Sequence, residues 1–500
     1  MAVSTAVDAS AVARVVGVKT AFKDLRGGGI LYLPQRVAVV GQGSTASTYD
    51  TTKRQVTSAL EAAQLYGFGS PVHLAVLQLL PINGDGVGTI PVTVYPLDDD
   101  ASGVAAAGDI TPSGAATGAA SFVIKINNIP SEQFVVASGD SVATIVTAMT
   151  TALTAALNVP MTAADNTTAV GLTAKWKGAS GNDLYITVEA TSVDNSGITF
   201  AITQPTGGLV NPDVSTALSQ VGDVWETMVL NCLEIADTTT LDLYSTFGEG
   251  RWGALTRKPL IVFTGNTATT VSAATAVSDA RKTDRTNAQL VAPGSVDLPL
   301  SVAARQLARI VKVANNNPPK DYGSQDATGV TPGADGEQWD AIARESAVGK
   351  GSSTIEVKDG VVNISDIVTF HHPLGDPLPE YRYVCDIVKL QNLLFNLNLI
   401  FATAEWDGAP LIPDDQPTTN ASAKQPKMAV AAVNAMIDSL ALNAIISDPK
   451  TAKANTIAQI SSLNPKRLDV ALTVQLSGNT NIISVDLNFG FYFGTATVVA

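Results

Sequence analysis

The sequence predicts a multidomain chain of mixed class, α/β and α+β, and three observations carry that prediction. Residues 36–97 read strand, helix, helix, strand. Residues 97–215 switch to short strand-like runs, with eleven acidic and three basic side chains and a net charge of −8. After residue 213 the alternation of helices and strands returns. One texture interrupted by another indicates an insertion into a mixed or parallel sheet. At 500 residues the chain has room for two to four domains and a large buried core.

The elements follow in order. Residues 1–22 predict an extended arm, because Val12 to Phe22 is β-branched and partly alternating. Gly27, Gly28 and Gly29 break it. Arg36–Val40 has the continuous apolar character of a buried strand and exits through Gly41-Gln42-Gly43. Asp50, Thr51 or Thr52 is placed to cap a helix reaching Tyr66, with Val56, Leu60, Ala63 and Leu65 on its apolar face. A second helix spans 72–80, and Ile90–Leu97 is the next strand. Within the insertion, strands are predicted at 121–126, 133–137, 184–190 and 198–202 around one helix at 141–157, closed by Pro160. Beyond it, helices are predicted at 214–221, 242–252, 271–280 and 301–314, with a buried strand at 259–263. Residues 315–333 are polar and rich in proline and glycine, which predicts a loop. A helix at 337–348 and strands at 354–357 and 361–364 follow, then long helices at 387–401 and 428–446. The chain is predicted to end in a hairpin, 468–476 against 482–493, turning at Gly478-Asn479.

Composition narrows the function. The net charge is −14, which disfavours nucleic acid as a partner because phosphate binding needs a basic face. Two cysteines, Cys232 and Cys385, make no disulfide framework. The first residues lack a basic and then apolar leader, and the most apolar run, Leu393–Phe401, is interrupted by Asn396 and Asn398. A soluble chain made in the cytoplasm, with no membrane partner, is the expectation. Charged residues make up only 15% of the sequence, well under the roughly 25% of an ordinary soluble chain. A weakly charged surface suits a protein that covers itself with its own copies.

Candidate chemistry is sparse. Gly41-Gln42-Gly43 followed by Ala46 has the strand–GxGxxA form of a dinucleotide fingerprint, with Glu61 about 20 residues on. That motif needs a helix starting inside the glycine turn, whereas this helix is expected some residues later, with Glu61 in its middle. His371 and His372 are adjacent ligand types, but neighbours in sequence point apart and the third histidine, His73, is remote. With three histidines there is little material for a catalytic triad. No catalytic, cofactor or metal site is assigned.

Two features point to interfaces instead. Arg305, Arg309 and Lys312 share one helical face, which reads either as a solvated stripe or as a charged interface with an acidic neighbour. In the last strand Val485, Leu487, Phe489, Phe491 and Phe493 share one face. It reads either as a core strand or as one that pairs with another subunit, and the second option gains from a strand-like N-terminus, since two such ends suit mutual β-augmentation.

An ordered set of segments adds a resemblance. It comprises Arg14–Thr20, Leu33–Ser44, Tyr66–Pro71, Tyr95–Asp98, Gly103–Gly108, Gly178–Asp183, Arg251–Gly253 and Asn464–Val470. Together they resemble the tail sheath proteins of contractile-tailed phages, in the Mu-like group. The resemblance implies a structural protein that stacks as hexameric rings in a helical sleeve around an inner tail tube, and contracts to drive the tube through the host envelope. Its implied partners are further copies of itself, the tube protein, and baseplate and tail terminator proteins. No cofactor is implied. The location is the virion tail, after assembly in the host cytoplasm.

On that pattern residues 1–22 are an N-terminal arm and 482–500 a C-terminal strand. Val12, Arg14, Val16 and Val18 would exchange between subunits together with Val485, Leu487, Phe489, Phe491 and Phe493. Residues 23–96 and 216–370 form the core, 97–215 an inserted acidic outer domain, and 371–481 a tube-facing domain. The tube-facing helix is one of 387–401 or 428–446. The competing reading is a dinucleotide-binding enzyme using Gly41-Gln42-Gly43.

Overall fold

The computed structural model describes residues 31–375, 380–487 and 489–491. The predicted N-terminal arm therefore lies outside the described residues. The chain enters through β1 (Val37–Gln42), β2 (Arg54–Val56), α1 (Ala59–Tyr66), α2 (Pro71–Leu79) and β3 (Val92–Leu97). One expectation is corrected here. The segment after Asp50 starts with a strand, because Arg54–Val56 pairs antiparallel with β3, and the helix begins only at Ala59. Ser58 Oγ accepts from the Glu61 N–H at 3.1 Å, while the Glu61 carboxylate accepts from Thr57, so a Ser-x-x-Glu capping box sets the start.

Next come β4 (Ala107–Gly114), β5 (Ala120–Ile126), β6 (Ile129–Pro130), β7 (Phe134–Val136), α3 (Val142–Ala155), β8 (Met161–Asp165), β9 (Val170–Ala174), β10 (Ile186–Ala190) and β11 (Ile198–Thr206). These strands pair only among themselves, as one sheet of β5, β6, β7 and β10 and another in the order β11-β4-β9-β8. Phe122, Phe134 and Phe200 meet with ring centroids 5.0–6.1 Å apart. At the base, Val104 and Leu209 exchange two backbone hydrogen bonds, so the outgoing and returning chains are tied together. β4, β8 and β9 are not predicted from the sequence, since glycine, proline and short polar residues dilute their strand pattern.

The core resumes with α4 (Ser215–Ser219), β12 (Met228–Asn231), α5 (Thr238–Trp252), β13 (Ile261–Asn266), α6 (Val271–Ala280), β14 (Asn287–Val291) and α7 (Pro299–Asn316). The main sheet runs β14-β13-β12-β1-β3-β2, parallel except for the β2 edge. Both of its faces are covered. Val37 and Val39 of β1 face a cluster with Val76, Leu307 and Val311, whereas Ala38 and Val40 face one with Leu218 and Tyr244. A strand buried on both sides needs apolar residues at every position, which is what β1 has.

Gly265 in β13 shows how closely α7 sits on this sheet. A Cβ built there would lie 1.7 Å from the carbonyl oxygen of Pro299, the first helical residue of α7. Relief would require moving a helix start rather than a side chain. Gly265→Ala is expected to destabilise the core by about 3 kcal/mol, read as a lower urea midpoint; an unchanged midpoint would show that α7 is free to retreat.

The C-terminal part holds α8 (Ala341–Gly349), β15 (Thr354–Lys358), β16 (Val361–Asp366), α9 (Val384–Phe401), α10 (Pro426–Leu442), β17 (Ile446–Ser447), α11 (Pro449–Ala454), β18 (Ile457–Ile460), β19 (Leu468–Ala471) and β20 (Gln475–Leu476). Leu393, Val433, Ile437, Leu440 and Ile445 form its own small core. The predicted terminal hairpin is corrected: β19 pairs with β18 and β20 pairs with β17, and among the described residues neither pairs with the chain after 481.

Candidate functional site

Of the residues singled out at the C-terminus, Val485, Leu487, Phe489 and Phe491 follow Asn481 as chain without strand pairing among the described residues. Among the described residues of this tail, Ile482, Ile483, Val485, Leu487, Phe489 and Phe491 are 76–88% exposed. Six large apolar side chains in water, in a run of ten residues, are not accounted for by this chain alone. Val12, Arg14, Val16, Val18 and Phe493 lie outside the described residues, so the two sets of arm residues are not seen together.

Close by in sequence, β18 and β19 form a two-stranded ribbon that packs against α10. Each of these strands pairs with one neighbour among the described residues, leaving one edge on either side. Ile457 on β18 is exposed, as is Leu463 in the turn. Two-stranded ribbons are marginal in isolation, and their free N–H and C=O groups are a template for a further strand. The sequence pattern does not predict β18, which is short and follows the small helix α11 directly.

The basic stripe on α7 makes contacts within its own chain. The Arg309 guanidinium donates to both carboxylate oxygens of Asp85, and Lys312 Nζ lies 3.8 Å from the same group. Hydrogen bonds from Arg309 hold the Asp85 carboxyl below the ordinary carboxylate range. Arg305 donates to the Thr328 carbonyl, pinning the loop after α7. The acidic partner is thus Asp85 within the same chain, and Arg305 and Arg309 are committed to contacts inside it.

The glycine loop is filled by the protein itself. A Cβ at Gly41 would sit 2.7 Å from the Cys232 Cβ, and the Gly43 N–H donates to the Tyr49 hydroxyl at 3.1 Å. Burial pushes the Tyr49 hydroxyl and the Cys232 thiol each up to about 12. Gln42 is fully buried and donates to the Lys177 carbonyl at 2.7 Å. α1 begins only at Ala59, well past the glycine turn, and Glu61 is occupied with Thr57 and Arg54. The turn is packed by Tyr49 and Cys232 and α1 does not start inside it, so Gly41-Gln42-Gly43 departs from the strand–turn–helix form of a dinucleotide fingerprint. His372 is buried against the Phe370 carbonyl at 2.6 Å, and no cluster of three metal-ligating side chains occurs among the described residues.

Sequence reasoning missed the polar residues of α9. By length and composition this helix could cross a membrane, yet half of it is buried in the protein, and Lys389, Gln391 and Asn392 are among its most buried residues. It reads as a core helix that carries polar side chains for a reason inside the fold. The only sequence signal was the interruption of an apolar run by asparagines.

No protein-family profile matches the chain. A curated protein, the Mu-like prophage FluMu tail sheath protein of Haemophilus influenzae, is 26% identical over 348 residues, covering 68% of this chain and 69% of that one. The resemblance to Mu-like tail sheath proteins therefore holds over two thirds of the sequence. Among solved structures, a sheath tail protein of Listeria innocua aligns over 91% of this chain and 94% of its own at 13% identity, with a TM-score of 0.48. One from Desulfitobacterium hafniense aligns over 92% and 100% at 12% identity, with a TM-score of 0.45. A chain from an extracellular contractile injection system, in a sheath complex in the contracted state, aligns over 96% and 98% at 11% identity, with a TM-score of 0.46.

Proposed function

We propose that this chain is the structural subunit of a contractile tail sheath, stacking as hexameric rings around an inner tail tube and shortening to drive that tube through a host envelope. The observation that carries the reading is the exposed apolar tail after Asn481, in a chain whose β18–β19 ribbon has unpaired edges among the described residues. The similarity to a prophage tail sheath protein supplies the kind of assembly.

In this reading the C-terminal tail, through Val485, Leu487, Phe489 and Phe491, adds as a strand to the β18–β19 ribbon of a neighbouring subunit. The N-terminal arm, through Val12, Arg14, Val16 and Val18, joins the same shared sheet. Residues 97–215 face outward, where their net negative charge is hydrated. The tube side is formed by residues 371–481, with α10 as its contact helix. α10 is chosen over α9 because its Met428, Ala431, Ala435 and Leu442 are exposed at helical spacing, with Asp438 on the same face paired to Lys453. Contraction then needs no nucleotide. Subunits held in an extended array re-pack with more buried surface, each interface contributing a small gain, while the exchanged strands keep neighbours linked.

Negative-stain microscopy of the purified chain, alone and together with a tail tube protein, tests this. Rings or tubes are the expected result. A chain that stays monomeric even with the tube present sinks the reading.

A further inference from the structure

The two ends of the described chain meet on one helix. Near the start, the Leu33 N–H donates to Asn392 Oδ1 at 2.8 Å, and Asn396 Nδ2 donates to the Leu31 carbonyl at 3.0 Å. At the other end, Lys389 Nζ donates to the Ser477 carbonyl at 2.6 Å, to Asn479 Oδ1 at 2.5 Å and to Asp386 Oδ1 at 2.8 Å. Asn479 Nδ2 in turn donates to the Pro319 carbonyl at 2.8 Å, fixing its amide in that orientation. Lys389 and Asn392 are both fully buried, and Asn396 nearly so. At about 100° per residue, positions 389 and 396 fall on nearly the same line of the helix and 392 within about 60° of it. One polar stripe therefore runs along an otherwise apolar helix.

A buried ammonium is tolerated only while its donors are satisfied, and a buried amide likewise. Among the described residues, the partners that satisfy them outside α9 belong to two short segments, 31–33 and 477–479. An ordinary core lysine or asparagine would be satisfied by whatever element lies nearest. These three instead hold the segments from which residues 1–30 and 482–500 depart.

We propose that α9 is the common root of both arms, with Lys389 anchoring the C-terminal one and Asn392 with Asn396 anchoring the N-terminal one. The inference rests on the sheath reading for what the arms do, but not for where they are held. With both arms fixed to a single helix, a rotation of the C-terminal part re-aims the two together.

Amide hydrogen exchange on the unassembled full-length chain tests the anchors one at a time. Lys389→Met, which keeps the length and apolar stem, is expected to speed exchange over residues 477–481 roughly tenfold and leave 31–35 unchanged. The pair Asn392→Leu and Asn396→Leu is expected to do the reverse. Asn479→Ala, which alters the tail and leaves α9 intact, should reproduce part of the Lys389→Met effect. Peptides from β1 and β13 report whether each variant is folded. Unchanged exchange at both segments, or acceleration spread evenly over the sheet as well, overturns the common root. Because this measurement needs no assembly, it separates from the sheath reading. Wild-type chain that fails to form tubes while showing the two local effects loses the sheath and keeps the anchor.

Discussion

A chain ended at Asn481 is expected to fold as well as the full chain and to form no tubes. The described side chains it loses, from Ile482 to Phe491, are almost fully exposed and none belongs to a core cluster, so their removal costs the subunit little. The anchor at Ser477 and Asn479 is kept. What is lost is gain available only on association. Burying an apolar side chain of this size is worth about 2 kcal/mol, so six of them supply on the order of 10 kcal/mol per subunit before the entropy of ordering the strand is subtracted. Circular dichroism and a urea titration should show matching curves for the two chains, and microscopy should show assemblies from the full chain alone. Tubes from the shortened chain would remove the role given to this strand.

The second large effect is a loss of stability on mild acidification, centred on His73 in α2. Its ring is buried, accepts the Gly69 N–H on Nδ1 at 2.9 Å, and stands edge-on to Phe68. Burial, with a smaller contribution from the charge of Lys175, lowers its pKa to about 4. Lys175 is itself tied to the Phe68 and Leu157 carbonyls, so the pair sits where the turn before α2 meets the chain between α3 and β8. In the unfolded chain a histidine titrates near 6.5. Between these values the unfolded state binds a proton that the folded state does not, so stability falls as pH falls. The contribution is whole above about pH 6.5 and is lost progressively down to about pH 4, a change on the order of 3 kcal/mol. His73→Gln, whose side-chain oxygen can still accept from Gly69, should flatten the urea midpoint across pH 6.5 to 4.5 relative to the parent. Parallel curves for the two proteins would assign the acid sensitivity elsewhere.

Much of the fold was legible because its causes are local. The apolar run of β1, the proline and glycine that delimit α2, and the apolar spacing of α6 and α7 each place an element to within a few residues. Two of the missed strands share a reason of their own, apart from the diluted pattern of β4, β8 and β9. β12 and β14 carry Asn231, Asn287 and Gln289 in fully buried positions, which a scan for apolar runs rejects. They are admissible because remote elements take their amide donors: Asn231 Nδ2 donates to Thr264 Oγ1 at 3.1 Å, Asn287 Nδ2 to the Leu241 carbonyl at 3.0 Å, and Gln289 Nε2 to the Ala274 carbonyl at 2.9 Å. The capping box at Ser58 and Glu61 was present in the sequence and marks the start of α1 more sharply than Asp50 does.

The candidate site divides in the same way. The sequence by itself determined that this is a weakly charged chain with an acidic middle, poor in catalytic side chains, whose last residues alternate as a strand does. Those are properties of composition and of a period of two, and they need no knowledge of neighbours. Only the tertiary structure decided which groups meet. It gave Arg309 its partner in Asp85, left the described side chains of the terminal run exposed, and brought Leu33 and Ser477 to the same helix. Pairings across hundreds of residues depend on how layers stack, and a side chain's spacing along its own element carries no record of what the fold will place opposite it.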